Sequence, residues 1–449
     1  MTARTDASEL LNRLDRLPIW PYPRKLLLVI GVGFFFSFFD IITIGMALPD
    51  IAQQFHITVG MATWAVTSSL IGYIMGSLLD SRLSDLFGRK LALYLSIAFF
   101  SIGSILSATT TDINSLIFWR FIIGMGVGSE IVNISTYMAE VAPAPIRGKV
   151  TCWAIAAGML GFAVVPFVAL ALVPHFALGW RALFVMGGAG GVVIFFMRRH
   201  LPDSPRWLIT QDRVLEAEAT IVTAEAYVKA HYKGVLPVIP VSVTLPLAQL
   251  SLWAALVAYR RRIMLFAILW CVYYIGNYAW LTLATDLFVQ HGINLGQSIL
   301  FVAIASLGFI FGSLIAVTVS DKFERKQLIF GVLIIWSLAL LMIAWLPNTT
   351  TISVFGFIAS TSIAVVIPIL YTYTAENFPT AQRATCISVT DGFGHLGGAF
   401  CGQIILGVYG WFSHTPYAFA AAFSAMAVTG LVAAVLSLLG AKMTRRQVA

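Results

Sequence analysis

The sequence predicts an all-α membrane protein whose twelve transmembrane helices form two pseudo-symmetric bundles of six. Three observations support this fold class. The chain of 449 residues is 59% hydrophobic and only 11% charged, whereas a soluble globular chain carries about 25% charged residues. Apolar runs of roughly 20 residues, long enough to cross a bilayer as helices, recur throughout. Two polar stretches of the first half also recur in the second half at one interval.

The repeat is clearest in the stretch GSLLDSRLSDLFGRK (76–90), which recurs 236 residues later as GSLIAVTVSDKFERK (312–326) with eight of fifteen positions identical. A second stretch, YMAEVAPAPIRGK from Tyr137, recurs at the same interval as YTAENFPTAQRAT from Tyr373. Two matches at one spacing predict two copies of one module, each with the same pair of charged loops.

The apolar runs divide the chain into six plus six spans. The predicted spans are 25–47, 62–80, 91–109, 115–137, 151–173, 180–198, 262–286, 297–319, 327–346, 351–375, 386–410 and 416–439. The predicted organisation is therefore a flexible cytoplasmic tail (1–24), an N-terminal bundle (25–198), a cytoplasmic loop (199–261), a C-terminal bundle (262–440) and a short cytoplasmic tail (441–449). We expect no secretory signal before the first span, because residues 1–24 are polar with mixed charge.

The long loop between the bundles has two segments of helical character. Residues 214–229 have helical composition, and residues 245–259 are apolar but too short and too interrupted by preceding prolines to span a bilayer. We expect helices lying on the cytoplasmic membrane face; a plain linker is the alternative.

Charge placement predicts the orientation in the membrane. Of the 28 Lys and Arg residues, only Arg181 falls at the outer ends of the spans and only Arg120 inside one, whereas the other 26 lie in the two termini and in every second loop. The positive-inside rule then places both termini on the cytoplasmic side. We expect the protein to lie in the cell membrane. The net charge of +8 follows from this bias and from attraction to anionic lipid heads, and indicates no nucleic acid partner. The four cysteines lie in apolar spans at unrelated spacings, so we expect no metal site, disulfide or cofactor.

Three ionisable residues inside the first-half spans are the candidate proton-coupling group. Asp40 lies about 10 Å from the outer end of the first span, and Arg120 about 8 Å from the outer end of the fourth, at a rise of ~1.5 Å per residue. An Asp40–Arg120 pair would satisfy both charges. Glu130 lies about 15 Å deeper on the same helix. The alternatives are that Asp40 lies at the membrane interface or caps a helix, and that Glu130 only forms a hydrogen bond with a backbone group or a neighbouring hydroxyl.

The second half supplies aromatic and titratable side chains instead. Gly276 and Asn277 are expected to interrupt the seventh span, as at the binding sites of many transporters. Asp391 and His395 share one helical face of the eleventh span, where histidine would add pH sensitivity. The predicted solute-binding residues are Tyr273, Tyr274, Asn277, Trp280, Tyr371, Tyr373, Asp391 and His395. The alternatives are that some of these aromatic side chains face lipid and that His395 is only hydrogen-bonded, without a functional role.

Several motifs together resemble the major facilitator superfamily. DLFGRK (85–90) and SDKFERK (320–326) resemble its loop signature, and RFIIGMGVG (120–128) its fourth-helix motif. AEVAPAPIRGK, LPDSPRWL and YTAENFPTAQRAT resemble motifs shared by sugar porters and organic-ion transporters. The resemblance implies two rocking bundles with alternating access and salt bridges at the cytoplasmic gate. The implied gating residues are Asp85, Arg89, Glu140, Arg147, Asp321, Arg325, Glu376 and Arg383.

The resemblance also bears on the transported solute. Asp40 and Arg120 fall where sugar porters place their proton-coupling acid and its partner, but the seventh span lacks the paired glutamines that sugar porters use. The stretch GHLGG (394–398) looks like the eleventh helix of organic-ion and aromatic-acid transporters. We therefore expect a monomeric, proton-coupled transporter of a small organic or aromatic acid. A sugar:proton symporter and a proton-driven exporter of apolar cations are the alternatives, and no motif supports an enzyme.

Overall fold

The computed structural model describes residues 2–239, 252–320, 322–379 and 382–441, and the regular elements in these ranges are all helical. The helices of the first half are α1 (Thr2–Asp15), α2 (Arg24–Gln54), α3 (Val59–Ala62), α4 (Trp64–Phe87), α5 (Arg89–Ser107), α6 (Ile113–Val141), α7 (Arg147–Leu172) and α8 (Gly179–Met197).

A 3₁₀ turn (Arg198–His200) ends the first half, and the loop that follows contains three helices. The remaining helices are α9 (Pro205–Thr210), α10 (Val214–His231), α11 (Leu252–Ala258), α12 (Arg260–Gln290), α13 (Leu295–Val319), α14 (Arg325–Trp345), α15 (Thr349–Glu376), α16 (Arg383–Ala399), α17 (Cys401–Trp411) and α18 (Ala418–Leu438). Helix α10 covers the predicted helical segment 214–229, whereas much of the apolar segment 245–259 lies outside the described residues.

Eleven helical segments in the described ranges are long and apolar enough to cross a membrane. The eleventh predicted span, 386–410, is present as two helices, α16 and α17, that meet at Phe400. The span is therefore interrupted at this residue. Gly397, Gly398 and Gly402 flank the break, and glycine lowers the stability of a helix by about 1 kcal/mol relative to alanine.

The two halves of the chain share one pattern of helix pairing. In the first half α2 packs on α7, α4 on α6, and α5 on α8. In the second half α12 packs on α16, α13 on α15, and α14 on α18. Both halves thus pair the first span with the fifth, the second with the fourth, and the third with the sixth. This shared pairing confirms the two six-helix modules that the repeat predicts.

Helices α4 and α6 touch backbone to backbone through glycines. A Cβ atom on Gly124 would lie 1.8 Å from the carbonyl oxygen of Ser69, and one on Gly76 would lie 2.1 Å from that of Met125. No larger residue fits at either position without moving a helix. The glycines therefore allow the two helices to pack closely.

Two elements near functional segments differ from the sequence-based expectation. The seventh span, α12, continues without a break through Gly276. A Cβ atom there would lie 2.2 Å from Thr429 Oγ1 and 2.6 Å from the Trp336 ring, so Gly276 makes room for α18 and α14. The charged stretch 76–90 is mostly helical rather than a loop, because α4 runs to Phe87 and Gly88 alone turns the chain at φ +101°.

The N-terminal tail forms a packed helix and not the flexible segment that its polar sequence predicts. Leu10, Leu14 and Leu17 of this segment are buried in a cluster with the ends of α2, α6, α7 and α10. Arg13 and Arg16 both donate to Glu225 of α10, at 2.8 and 2.9 Å. The leucines are spaced by four and three residues, which places them on one face of an amphipathic helix. The sequence therefore indicated this packing, but the segment was too short for the pattern to stand out.

Candidate functional site

Asp40 and Arg120 form a buried ion pair inside the first bundle. Arg120 Nη1 lies 2.9 Å from each carboxylate oxygen of Asp40, and Nη2 donates to Ser69 Oγ at 3.1 Å. The guanidinium carbon lies 5.6 Å from the centroid of the Phe184 ring. Asp40 is 2% exposed and Arg120 is 1% exposed. The structure therefore places α2, α4 and α6 around one charge pair, and loss of either charge would leave the other uncompensated.

Glu130 has a different partner, Arg198, in the same bundle. Arg198 donates to both carboxylate oxygens of Glu130, one of them at 2.8 Å, and also to the Leu93 carbonyl oxygen at 2.7 Å. Ser96 Oγ donates to Glu130 at 2.6 Å. Sequence reasoning missed Arg198 because it opens the run RRH, which has the composition of a surface-charged helix end. The three predicted proton-coupling residues thus belong to two separate clusters.

A carboxylate in the second bundle collects two tyrosine hydroxyls. Tyr274 of α12 and Tyr371 of α15 donate to the same oxygen of Asp391 on α16, at 2.9 and 2.7 Å. The Trp270 ring packs on Tyr371, with centroids 4.6 Å apart. Three helices of the bundle therefore converge on Asp391, and the side chains around it are flat and aromatic.

His395 joins this carboxylate to the first bundle. Its Nδ1 lies 2.9 Å from the backbone oxygen of Asp391 and 3.6 Å from the carboxylate. Its ring stacks on Tyr73 of α4, with centroids 4.0 Å apart and an interplanar angle of 14°. Tyr274 and Tyr278 contact other sides of the imidazole. We call Tyr73, Tyr274, Tyr371, Asp391 and His395 the aromatic–carboxylate cluster; it lies between the bundles.

Sequence reasoning missed Tyr73, although a signal was present. Tyr73 lies four residues after Ser69 and three before Gly76, on the α4 face that meets α6. The Tyr73 side chain is too large to fit between α4 and α6 on a face otherwise made of small residues. It must therefore extend beyond these two helices toward a neighbouring helix.

Four other predicted solute-binding residues have their main partners outside the cluster, although the Tyr273 ring also lies 5.7 Å from that of Tyr274. Tyr273 is fully buried beside Trp336. Trp280 donates to Ser360 Oγ at 3.1 Å, and Tyr373 donates to the Ser437 carbonyl oxygen at 3.2 Å. These three aromatics pack inside the second bundle, Tyr273 and Trp280 on α12 and Tyr373 on α15. Asn277 lies one turn after Tyr274 and is also buried.

We call the membrane end that carries α1, α9 and α10 the basic end. There Arg89 donates to Glu140 at 2.8 Å and to Asp85 at 2.7 Å. Arg147, another of the expected gating residues, binds Asp15 of α1 at 2.8 Å. The gate residues of the first half are thus tied to one another or to the N-terminal helix.

The second half repeats one of these pairs. Arg325 lies 3.3 Å from Glu376, at the same 51-residue separation as Arg89 and Glu140. Arg383 donates to the carbonyl oxygen of Ala375 at 2.9 Å. Asp321, the remaining predicted gate residue, lies outside the described residues.

The bundles touch each other in the middle and at the end opposite the basic end. Ser306 Oγ donates to the Ala163 carbonyl oxygen at 3.0 Å, and Thr67 Oγ1 to that of Ala399 at 2.7 Å. A Cβ atom on Gly45 would lie 2.6 Å from Thr282 Cα. At the basic end, the ion pairs among the described residues stay within a bundle or bind it to α1, α9 or α10. The contacts between the bundles named here therefore lie in the middle and at the opposite end.

No metal site emerges from this geometry. Within the part of the chain that the structure describes, no group of three or more His, Cys, Asp or Glu side chains could hold a metal ion. The chemistry that the clusters offer is proton binding, hydrogen bonding and ring stacking.

Comparison with known proteins gives one family and several relatives. The family model described as Major Facilitator Superfamily matches residues 30–400 and 265–448. The niacin transporter NiaP of Acinetobacter baylyi is 27% identical over 87% of this chain and 88% of its own length. The 4-hydroxybenzoate transporter PcaK of the same organism is 25% identical over 90% of this chain and 88% of its own.

The fold also matches a solved structure. A partially occluded inward open conformation of the xylose transporter XylE from E. coli superposes with a TM-score of 0.75, covering 95% of this chain and 99% of the other, at 19% identity. At this identity the likeness concerns the fold.

Proposed function

The chain belongs to the major facilitator superfamily, and on that premise we propose that it is a proton-coupled symporter of a small aromatic carboxylic acid. That it is a multi-pass membrane transporter and not an enzyme follows from the family. The observation that carries the finer proposal is the aromatic–carboxylate cluster, in which Tyr274, Tyr371 and His395 surround Asp391 beneath Tyr73.

The cluster suits a flat ring that carries a carboxylate. Tyr73 already stacks face to face on a planar ring, that of His395, and aromatic pairs of this kind contribute about 0.5–1.5 kcal/mol beyond their buried area. The tyrosine hydroxyls can turn from Asp391 to a solute carboxylate. Two relatives bear the names of aromatic acids, niacin and 4-hydroxybenzoate.

His395 supplies the charge that such an acid requires. Asp391 alone would repel a carboxylate, and the groups facing His395 are Asp391, Tyr73, Tyr274 and Tyr278. Protonation of the imidazole offsets the Asp391 charge and leaves the cluster able to accept an anion. Histidine is the side chain that changes charge in the physiological range, so binding should strengthen as the pH falls.

Asp40 and Arg120 supply the proton coupling in this proposal. A proton on Asp40 removes the charge that holds Arg120, and the guanidinium can then shift toward Ser69 and Phe184, which it already contacts. Because α2, α4 and α6 all meet at this pair, the shift changes the packing of the first bundle. Glu130 is left out of the coupling group, since Arg198 and Ser96 already satisfy it.

The proposed arrangement in the membrane follows the charge bias. The basic end faces the cytoplasm, both termini are cytoplasmic, and the protein works as a monomer in the cell membrane. The described contacts then correspond to a state closed on the outside, with the gate pairs Arg89–Glu140 and Arg325–Glu376 each within its own bundle.

Uptake by purified protein in liposomes tests the proposal. Radiolabelled nicotinate should accumulate against its gradient when the outside is acidic, and 4-hydroxybenzoate should compete while D-xylose should not. Tyr274→Phe and Asp391→Asn should each lower uptake, whereas Tyr227→Phe on α10 is the matched control outside the cluster. Competition by xylose but not by aromatic acids would instead support a sugar symporter. Accumulation that does not depend on pH would show that transport is not coupled to protons.

A further inference from the structure

Two adjoining grooves lie at the basic end of the first bundle, where α2 meets α8 and the segment after it. The first groove has a volume of about 530 Å³ and the second about 460 Å³. Lys25, Leu26 and His200 line both grooves, so the grooves meet at these residues. The other residues of the first groove are Val29, Val193, Phe196, Met197 and Arg199. The proposed solute pathway does not use either groove.

The charge at this junction is entirely positive. No Asp or Glu lines either groove, and Lys25, Arg199 and His200 form no ion pair within the part of the chain described. Lys90 adds a fourth base, because its Nζ donates to the carbonyl oxygen of Arg199 at 3.3 Å. The neighbouring Arg198 differs, since its side chain is buried against Glu130. Arg198 therefore points into the bundle, whereas Lys25, Arg199 and His200 lie at the grooves on its surface.

The first groove opens toward the bilayer. Val193 and Phe196 of α8 are 57% and 63% exposed, on a helix whose apolar sequence spans the membrane. In a membrane, lipid acyl chains cover this surface. Lys25, Arg199 and His200 lie at the end of the groove, where α2 begins and α8 ends, which is the depth of the lipid headgroups.

The second groove offers polar groups next to the bases. Tyr22 lines it, is 6% exposed, and its hydroxyl has no hydrogen-bond partner among the described residues. A buried hydroxyl without a partner is unusual in a folded protein, and Tyr22 lies directly beside the groove. Thr220 and Thr223 of α10 line the same groove.

We propose that these grooves form a site for an anionic phospholipid. The phosphate lies at the junction among Lys25, Arg199 and His200, an acyl chain follows the first groove along α8, and the headgroup occupies the second groove beside Tyr22. The site joins the first transmembrane helix to α10, so a bound lipid links the spanning helices to the cytoplasmic helical layer.

Native mass spectrometry of the full chain tests the site with defined lipids. The protein should retain phosphatidylglycerol in preference to phosphatidylcholine, and inorganic phosphate should not displace it. Each base contributes about fivefold in affinity near a membrane surface, so Arg199→Gln should lower the bound fraction about fivefold and Lys25→Gln/Arg199→Gln by more. These exposed residues make no ion pair that a substitution would break, and size-exclusion elution verifies that the variants are folded.

Arg261→Gln is the matched control, because Arg261 is an exposed base at the same membrane end, on α12, outside both grooves. It should retain the lipid. An equal loss in this variant would show diffuse attraction of basic residues to anionic lipids and overturn the site. Equal retention of phosphatidylcholine, or displacement by inorganic phosphate, would overturn it as well. None of these outcomes depends on whether nicotinate is transported.

Discussion

Asp15 Oδ1 lies 2.8 Å from Arg147 Nη2, so a residue of the N-terminal helix binds one of the expected gating arginines. The other oxygen of Asp15 lies 2.6 Å from Arg206 of α9. One carboxylate therefore joins α1 to the start of α7 and to the loop after the first bundle. The N-terminal helix takes part in the charge network of the basic end.

Substitution of Asp15 by Asn should loosen this attachment. Both arginines keep their charge but lose their ionic partner, and partly exposed pairs contribute about 0.2–1 kcal/mol each. We expect faster hydrogen exchange over residues 8–20, measured by mass spectrometry, with little change in the spans. Glu9→Gln is the control, since Glu9 is exposed on the same helix. Equal exchange in both variants would contradict the role of Asp15.

Acidification should detach α1 through Glu225. Burial by itself would raise the pKa of Glu225, but the hydrogen bonds and charges of Arg13 and Arg16 outweigh it, and the pKa is lowered from its ordinary value of 4.5. The stabilisation is complete above about pH 4.5, the pKa of an unfolded glutamate, and is lost as the pH falls through the lower folded value. Hydrogen exchange of α1, corrected for the intrinsic rate, should be constant from pH 8 to 5 and rise below.

The matched variant for this titration is Glu225→Gln. Without the carboxylate, α1 should exchange faster at every pH, and the acid-dependent rise should disappear. A rise that persists in the variant would assign the transition to another group.

Asp40→Asn should uncouple transport from the proton gradient. The amide cannot release a proton, so Arg120 lacks the charge that it binds at 2.9 Å and the coupling step is lost. We expect no accumulation driven by an acidic exterior, while counterflow exchange of preloaded solute persists. Asp112→Asn, at the exposed start of α6, is the charge-matched control. Uphill uptake by Asp40→Asn would exclude Asp40 as the coupling residue.

Sequence reasoning located elements and charge pairs better than it located side-chain directions. The 236-residue repeat predicted the shared helix pairing, and the equal depths of Asp40 and Arg120 anticipated their contact, because both depend on position along helices. Tyr273 and Tyr274 illustrate the limit. They are adjacent on one apolar helix, and only the neighbouring helices decide that one faces Trp336 and the other Asp391. Arg198 and α1 were missed because a basic or polar flank gives no sign of what it packs against.

Replacement of His395 by Asn should flatten the pH dependence of solute affinity. Asn keeps a polar group near Asp391 but cannot gain charge, so nicotinate should bind weakly at every pH. Isothermal titration of the wild-type protein between pH 5.5 and 8 should show affinity falling as the pH rises, by at most about tenfold per pH unit, the limit for a single required proton. Tyr73→Phe keeps the stacked ring and should keep the profile, whereas Tyr73→Leu should lower affinity throughout. An unchanged profile in His395→Asn would place the required proton elsewhere.

Bulky substitution of Gly45 should hold the opposite end open. In this structure a Cβ atom there would already lie 2.6 Å from Thr282 Cα and 2.7 Å from the Leu281 carbonyl oxygen, across the boundary between the bundles. Gly45→Trp therefore cannot adopt the described arrangement, but it leaves each bundle free to fold and to swing apart. We expect transport to stop while nicotinate still binds from the outer side, and a spin-label pair at the outer ends of α2 and α12 should show a longer distance. Gly331→Trp is the control, because a Cβ atom at Gly331 meets nothing within 4 Å. Normal transport by Gly45→Trp would mean that the two helices need not approach this closely during the cycle.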